Sequence, residues 1–216
     1  MLAWSRRRAV PRSRPNLAVE PQIQLTSIDV IASALEPVIP TLGHVSSPDG
    51  AITLMLSDIA EASNVAEQLG PERWERLLAD HRLLVEQLVG RHDGQVVRFE
   101  SDGFLASFNS AHAGLHTAVE LQRTFTGPAG DAAAPAIAIR VGLHSGFVIA
   151  NPEQLLGRNV VLASRIAGQA RGGEILVSSA VRQYTATDPS FQFALHGEYH
   201  FKGLLGEHDV YTVRWR

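Results

Sequence analysis

Hydrophobic and polar positions follow two different rhythms along the chain from about residue 51 onward. Apolar residues recur at helical spacing after Pro71, after Ser110 and from about Arg158 to Ala170. Short apolar or alternating runs, typical of strands, occur at 51–57, 96–100, 104–108, 137–143, 147–150 and 174–177, with terminal strands near 191–195, 199–201 and 209–214. The order βαββαβ predicts an α+β fold of the ferredoxin-like, split βαβ type with a C-terminal αβ extension.

Residues 1–48 differ from this pattern. Five arginines and two prolines fall within the first 15 positions, which predicts a basic arm that is disordered or partly helical, with a short helix at 22–36. Proline and glycine between 37 and 50 then break the chain. We therefore expect a domain at 49–216. Contact of the arm with an anionic membrane surface is the alternative to a solvated tail.

Composition narrows the functional classes. The chain is 45% hydrophobic and 19% charged, so it has enough apolar surface to fill a core. It contains no cysteine, which excludes disulfide scaffolds, thiol nucleophiles and cysteine metal sites. The net charge of −3 argues against a nucleic-acid partner. No apolar run predicts a transmembrane helix or a signal peptide, so we expect a cytoplasmic protein.

Two carboxylates carry the candidate chemistry. Asp58 ends the first apolar strand, and Asp102 lies in the tight turn between the second and third strands. The first strand neighbours that hairpin in a split βαβ sheet, so the two side chains are expected to converge at one sheet edge. Such a pair repels itself unless a cation intervenes, and oxygen ligands suit the Mg²⁺ or Mn²⁺ of two-metal phosphoryl transfer. The alternative, that Asp58 caps a helix and Asp102 suits a turn, is equally compatible with the spacing.

Six blocks of sequence follow one another in a recognisable order. They are Leu56-Ser57-Asp58-Ile59, Val96 to Phe104, Arg140 to Gly146, Gly157 to Arg165, Gly173 to Ser178 and Phe201-Lys202-Gly203-Leu204. With these blocks the chain, from about Ala51 to Arg216, resembles the catalytic domain of class III nucleotide cyclases, which make cyclic AMP or cyclic GMP. Each block alone is a weak signal, and the ordered set is specific for the fold.

The resemblance implies a function and a site. The substrate is a nucleoside triphosphate, ATP before GTP, converted to the 3′,5′-cyclic nucleotide and pyrophosphate for intracellular signalling. Two Mg²⁺ or Mn²⁺ ions are implied at Asp58 and Asp102 with the backbone carbonyl of Ile59, a transition-state role for Arg165, and a triphosphate contact for Lys202, the chain's single lysine. Family members act as head-to-tail homodimers, in which one chain supplies the metal aspartates and its partner the base-reading and transition-state residues.

Three positions depart from the family's pattern. Arg98 stands where the family has a base-reading lysine, and Gln154 where its adenine-reading aspartate falls. Arginine only donates hydrogen bonds and glutamine does either, so these residues leave the base preference open. Val161 replaces an asparagine that reaches the ribose, and Asn159 lies roughly 120° off the Arg165 face of the same helix. The loss of one such contact typically costs ~10²–10³ in rate.

The hairpin turn departs from the pattern as well. Ser101 replaces a glycine before Asp102, and serine narrows the backbone choice but suits turns. Glu100 shares a strand face with Arg98. We expect these two to form a pair, and the alternative is that Glu100 adds a third carboxylate near the metals.

These departures keep a second hypothesis beside the enzyme. A degenerate cyclase-homology domain would bind nucleotide or a partner and regulate without efficient catalysis. The two aspartates and Arg165 favour the enzyme, whereas Arg98, Gln154 and Val161 favour the regulator. A palm like that of diguanylate cyclases is a third hypothesis, which the later blocks fit poorly.

Overall fold

The structure is a computed structural model of the chain that describes residues 26–33, 50–126, 137–147 and 152–216, without the side chains of 152–156. Its strands are β1 (Ala51–Ile59), β2 (Gln95–Glu100), β3 (Gly103–Phe108), β4 (Ile139–Phe147), β5 (Ile175–Ser178), β6 (Gln192–Tyr199) and β7 (His208–Arg214). Its helices are α1 (Ser27–Ser33), α2 (Ala62–Leu69), α3 (Pro71–Arg91), α4 (Ala111–Thr126), α5 (Pro152–Ala167) and α6 (Ser179–Tyr184). In the described residues, no helix is long and apolar enough to cross a membrane.

The strands form one mixed sheet in the order β2-β3-β1-β4-β5-β7-β6. The central strand β1 pairs antiparallel with both β3 and β4, and β4 pairs parallel with β5. The subset β2-β3-β1-β4 is the strand order of a split βαβ unit, and β5, β7 and β6 extend it. The predicted α+β fold is therefore confirmed, including the place of the first strand beside the β2–β3 hairpin.

Strand β1 is buried on both sides because its residues alternate between two apolar layers. Met55 faces the layer that includes residues of α3 and α4. Leu54 and Leu56 face the opposite layer, which includes residues of α1 and α5. Asp58 continues the second alternation, so its carboxylate emerges on the face that α1 and α5 cover.

Several elements differ from their predicted bounds. Helix α2 was not predicted. Its apolar positions Ala62, Val65, Ala66 and Leu69 recur at helical spacing, but over only eight residues and with two of them alanine, so the pattern is too short to mark a helix, and none of its residues is buried. Helix α5 begins six residues before its expected start at Arg158. Strand β6 is continuous where two short strands were expected, because a bulge between Leu195 and Gly197 interrupts the alternation without ending the strand.

The arm is described in part. Helix α1 lies inside the range 22–36 where a short helix was expected, and the rest of that range is outside the described residues. The predicted strand at 147–150 also falls mostly outside them, and β4 itself reaches Phe147. The boundary between residues 48 and 49 stays a prediction.

His81 on α3 makes the fold acid-sensitive. It is 2% exposed, its Nε2 has no hydrogen-bond partner, and its ring stacks 5.0 Å from that of Phe125. Burial lowers the pKa of His81 to about 4, with Asp102 opposing and Arg82 assisting. The folded state thus resists protonation that the unfolded chain accepts at its ordinary pKa of 6.5. The free energy of unfolding should fall by about 3 kcal/mol between pH 6.5 and 4 on this account alone.

We expect His81→Leu to reduce this acid sensitivity, since leucine fills a similar apolar space without a titrating nitrogen. The measurement is denaturant unfolding at several pH values from 7 to 4. His200→Asn, at an exposed position, should follow the wild-type pH curve. The assignment is wrong if His81→Leu loses as much stability between pH 6.5 and 4 as the wild type.

Candidate functional site

Asp58 lies at the end of β1 and is 1% exposed. Its cross-strand partner in the antiparallel β1–β4 register is Arg140. The guanidinium binds the carboxylate with two donors, since Nε donates to Oδ1 at 2.7 Å and Nη2 donates to Oδ2. Burial raises the pKa of Asp58, although the hydrogen bonds and charge of Arg140 oppose the rise. Burial would lower the pKa of Arg140, but the hydrogen bonds and charge of Asp58 outweigh it, and the pKa of Arg140 is raised. The buried carboxylate therefore already has a cation beside it.

Asp102 lies beside the end of β1, although it is 44 residues further along the chain. The backbone N–H of Ile59 donates to Asp102 Oδ2 at 3.2 Å, and the hydroxyl of Ser27 donates to Oδ1. Asp102 is 8% exposed, and its charge adds to the rise in the pKa of Asp58. The structure thus brings both predicted carboxylates together on one face of the sheet.

Both carboxylates line a pocket of about 590 Å³, a size that is typical of small-molecule sites. Arg140 contributes to its wall, α2 and Trp74 form another side, and Ser27 of α1 closes it near Asp102. The pocket is therefore concave and partly polar, and its charged lining consists of four acidic side chains, Asp58, Glu61, Glu100 and Asp102, and the basic Arg140.

The hairpin turn holds Asp102 rigidly. Ser101 adopts φ 51, a left-handed conformation that costs a non-glycine residue energy. Nη2 of Arg82 donates to the Ser101 carbonyl at 3.2 Å. Gly103 allows the turn to approach β1, because a Cβ there would lie 2.9 Å from the carbonyl oxygen of Ser57. The turn therefore accommodates serine where the family has glycine, and requires glycine on the other side of Asp102.

Arg98 and Glu100 form the expected pair on β2. Nη2 of Arg98 donates to Oε2 of Glu100 at 2.8 Å, and both side chains are partly exposed. Glu100 also lines the pocket, so it lies near the carboxylates while its charge is shared with Arg98. The arginine at the base-reading position is thereby engaged by its own neighbour.

Among the described residues, Arg165, Val161 and Lys202 do not line this pocket. Arg165, on α5, is partly exposed, and its Nη1 lies 3.7 Å from Oδ1 of Asp29 on α1. Val161 is on the same helix, and Lys202 is exposed in the segment between β6 and β7. The side chain of Gln154 lies outside those that the structure describes.

Asn159 is turned away from the Arg165 face, as the helical spacing predicted. Its Oδ1 lies 3.3 Å from Nε2 of the buried His144, and its Nδ2 donates to the Phe147 carbonyl at 3.3 Å. Asn159 therefore supports the packing of α5 on β4 and does not replace the polar group that Val161 lacks.

Close packing between α5 and β4 fixes the position of Arg165. A Cβ on Gly142 would lie 2.3 Å from the backbone nitrogen of Ala167, so only glycine allows the helix to come this near to the strand. Any larger residue at 142 would shift the helix that carries Arg165.

Sequence reasoning missed two residues of the site. Arg140 is in one of the six family blocks, and its signal is the opposite charge that the β1–β4 register places beside Asp58. Ser27 is 75 residues from Asp102, and no local pattern marks it.

The donor set fits a divalent cation that also binds substrate. In the described part of the chain, no group of three or more His, Cys, Asp or Glu side chains is arranged to hold a metal ion. Mg²⁺ characteristically uses one or two carboxylates together with substrate phosphates and water. Asp58 and Asp102 supply that number, and the Ile59 backbone lies beside them.

The mixed sheet of seven strands with its helices matches the fold of nucleotide cyclase catalytic domains. Residues 45–214 match the family described as the adenylate and guanylate cyclase catalytic domain, and the chain belongs to that family. The resemblance seen in the sequence is thereby confirmed. Domains of this family bind nucleotides, dimerise and typically use two metal ions.

The match between this chain and its curated relatives covers only part of each relative's length. The chain is 32% identical over 135 residues to an uncharacterized protein of Mycobacterium tuberculosis, covering 62% of this chain and 44% of the relative. It is 27% identical over 163 residues to putative adenylate cyclase 3 of Rhizobium meliloti, covering 75% and 27%. The chain thus spans less than half the length of these curated relatives.

A solved structure agrees with the fold. The catalytic core of a rhodopsin-guanylyl cyclase with converted specificity, in complex with ATPαS, superposes with a TM-score of 0.66 at 22% identity. The match covers 76% of this chain and 96% of that one. At this identity the likeness establishes the fold.

Proposed function

We propose that this protein is a nucleotide cyclase that converts a nucleoside triphosphate, ATP before GTP, into the 3′,5′-cyclic nucleotide and pyrophosphate. The observation that carries the proposal is the convergence of Asp58 and Asp102, two buried carboxylates, on one pocket. Arg140 compensates the charge of Asp58, whereas Asp102 accepts hydrogen bonds from neutral donors, the Ser27 hydroxyl and the Ile59 N–H. The two carboxylates and one guanidinium therefore keep a net negative charge that favours a bound cation.

In the proposed reaction the ribose 3′-oxygen attacks the α-phosphorus as its proton is lost. The bond from the α-phosphorus to the bridging oxygen breaks, and pyrophosphate leaves. Two divalent ions, when bound, supply the positive charge that neutralises the triphosphate and favours loss of the 3′-hydroxyl proton. Asp58, Asp102 and the Ile59 carbonyl would hold these ions, and the pocket would position the substrate.

We propose that a complete site needs two copies of the chain. Arg98, Arg165 and Lys202 do not line the pocket of their own carboxylates, so these groups serve the pocket of a partner protomer in a head-to-tail homodimer. Arg165 would then donate to the α-phosphate as charge develops, and Lys202 would bind the triphosphate. Such a dimer has two equivalent sites.

Turnover is expected to be slow and base selection loose. Val161 provides no hydrogen bond to the ribose, and the removal of one such contact typically costs ~10²–10³ in rate. Glu100 competes with the base for Arg98. The same two observations favour the second candidate, a regulatory domain that binds nucleotide without efficient catalysis.

The test is pyrophosphate release from ATP and GTP by the purified chain with Mn²⁺ or Mg²⁺. We expect activity that EDTA abolishes and that rises faster than linearly with protein concentration, because the site forms between protomers. The cyclic product should be identified directly by mass. If neither nucleotide turns over at high protein concentration, the enzyme proposal is wrong and the regulatory one is favoured.

A further inference from the structure

Helix α1 lies on the same face of the sheet as the two carboxylates. Ile28 and Ile31 are fully buried in one apolar layer with Leu54, Leu56 and Leu105 of β1 and β3. The helix therefore covers the sheet next to the pocket, although it belongs to a segment well before β1 in the chain.

One end of α1 engages Asp102. The Ser27 hydroxyl donates to Asp102 Oδ1, and Thr26, Ser27 and Val30 all line the pocket. Gly103 makes room for this approach, since a Cβ there would lie 2.8 Å from the Cβ of Ser27. Ser27 thus competes for a carboxylate oxygen that a cation requires.

The same first turn of α1 also engages Arg165. Oδ1 of Asp29 lies 3.7 Å from Nη1 of Arg165. The other oxygen, Oδ2, accepts hydrogen bonds from the Thr26 hydroxyl at 2.9 Å and the Thr26 backbone N–H at 3.1 Å, and the Asp29 N–H donates back to Oγ1 of Thr26. This capping box holds Asp29 in place. A carboxylate therefore lies on the guanidinium that the proposed function assigns to a phosphate.

Ligands of the pocket can compete for the contacts that hold α1 on the sheet. The helix has seven residues, which is below the length at which an isolated helix is even marginally stable in water. Its order therefore depends on the apolar contacts of Ile28 and Ile31 and on the polar contacts of Ser27 and Asp29. Two of these contacts use groups that substrate and cation also need.

We propose that α1 is a built-in inhibitory segment, with Ser27 closing the cation side of its own protomer's pocket and Asp29 blocking Arg165, the phosphate-binding group that this protomer supplies to its partner's pocket. The proposal rests on the proposed function, because it takes Asp102 and Arg165 as the groups that bind cation and phosphate. A divalent cation displaces Ser27 from Asp102, and a triphosphate displaces Asp29 from Arg165. Removal of either contact then raises ligand affinity, and saturation with both ligands releases the helix.

The test compares the full chain with Ser27→Ala by calorimetric titration of Mn²⁺. We expect the variant to bind Mn²⁺ about tenfold more tightly. In the wild type the cation must first break the hydrogen bond from Ser27 to the charged Asp102, and the variant lacks that bond. Ser33→Ala is the matched control, since the exposed Ser33 hydroxyl donates to the Val30 carbonyl of its own helix, and it should bind Mn²⁺ like the wild type.

Two further measurements address the phosphate side and the helix itself. Asp29→Asn should bind a non-hydrolysable ATP analogue several-fold more tightly in the presence of Mn²⁺. In the wild type, hydrogen exchange of the amides of α1 should rise at least about tenfold when Mn²⁺ and the analogue are both saturating.

Equal Mn²⁺ affinity of Ser27→Ala and wild type, or unchanged exchange in α1 at saturation, overturns the role of α1. The proposed function fails separately if Asp102→Asn binds Mn²⁺ as tightly as the wild type. If Mn²⁺ binds neither the wild type nor Ser27→Ala, both proposals are wrong.

Discussion

Asp102→Asn is expected to lower the rate of pyrophosphate release at least ~10³-fold while the fold stays intact. A metal ion at a phosphoryl group supplies several kcal/mol of transition-state stabilisation, and about 1.4 kcal/mol is worth a factor of ten. Asparagine has the same shape as aspartate, so its Oδ1 can still accept from the Ile59 N–H, and its Nδ2 can donate to the Ser27 hydroxyl. What is lost is the negative charge.

The measurement is the initial rate of pyrophosphate release beside a thermal unfolding curve for the same sample. Asp93→Asn is the matched control, because Asp93 is exposed in a turn at φ 55, a conformation that asparagine tolerates well. It should leave both rate and stability near wild type. Wild-type turnover by Asp102→Asn would show that the reaction does not use this carboxylate.

The strands and the proximity of Asp58 to Asp102 could be predicted from the sequence, because they depend on short-range rules. An apolar run followed by an aspartate predicts β1 and its terminal carboxylate, and the tight Ser101–Gly103 turn predicts a hairpin. The split βαβ order then places β1 beside that hairpin without further information. Convergence of the two carboxylates follows from topology alone.

The side chains that contact those two carboxylates could not be predicted from the sequence. Arg140 faces Asp58 because of the exact β1–β4 register, and the periodicity of a strand does not determine the register of its neighbour. Ser27 reaches Asp102 across a separation of 75 residues. Helix α2 was missed for a different reason, since its apolar stripe extends over only eight residues and consists of two alanines, one valine and one leucine.

Together these contacts show that the charged side chains of the site already have partners within the protein. Asp58 has the Arg140 guanidinium, Asp102 has the Ser27 hydroxyl and the Ile59 N–H, and Arg165 has Asp29. These three groups of the proposed reaction thus each have a protein partner that substrate or cation must replace. The internal contacts make ligand binding less favourable, which is a physical route to low affinity that is independent of the substitution at Val161.

Arg140→Gln should lower the free energy of unfolding by about 3–5 kcal/mol, the usual effect of breaking a buried ion pair. The effect is large because Asp58 is almost fully buried and would be left without the guanidinium that compensates its carboxylate. Arg91→Gln is the matched control, since Arg91 pairs with Glu120 at an exposed position, and an exposed pair is worth about 0–1 kcal/mol.

Two conditions should restore stability to Arg140→Gln. The pKa of Asp58 is already raised by burial and would rise further without Arg140. The variant's folded state then binds a proton more readily than its unfolded state, so its stability deficit should shrink as pH falls through that raised pKa and grow as pH rises.

Mn²⁺ should also stabilise the variant at neutral pH, by about 2.7 kcal/mol at a concentration a hundred times its dissociation constant. Denaturant unfolding with and without Mn²⁺ measures both effects, and a deficit that responds to neither protons nor Mn²⁺ would mean that Asp58 is not the charge Arg140 compensates.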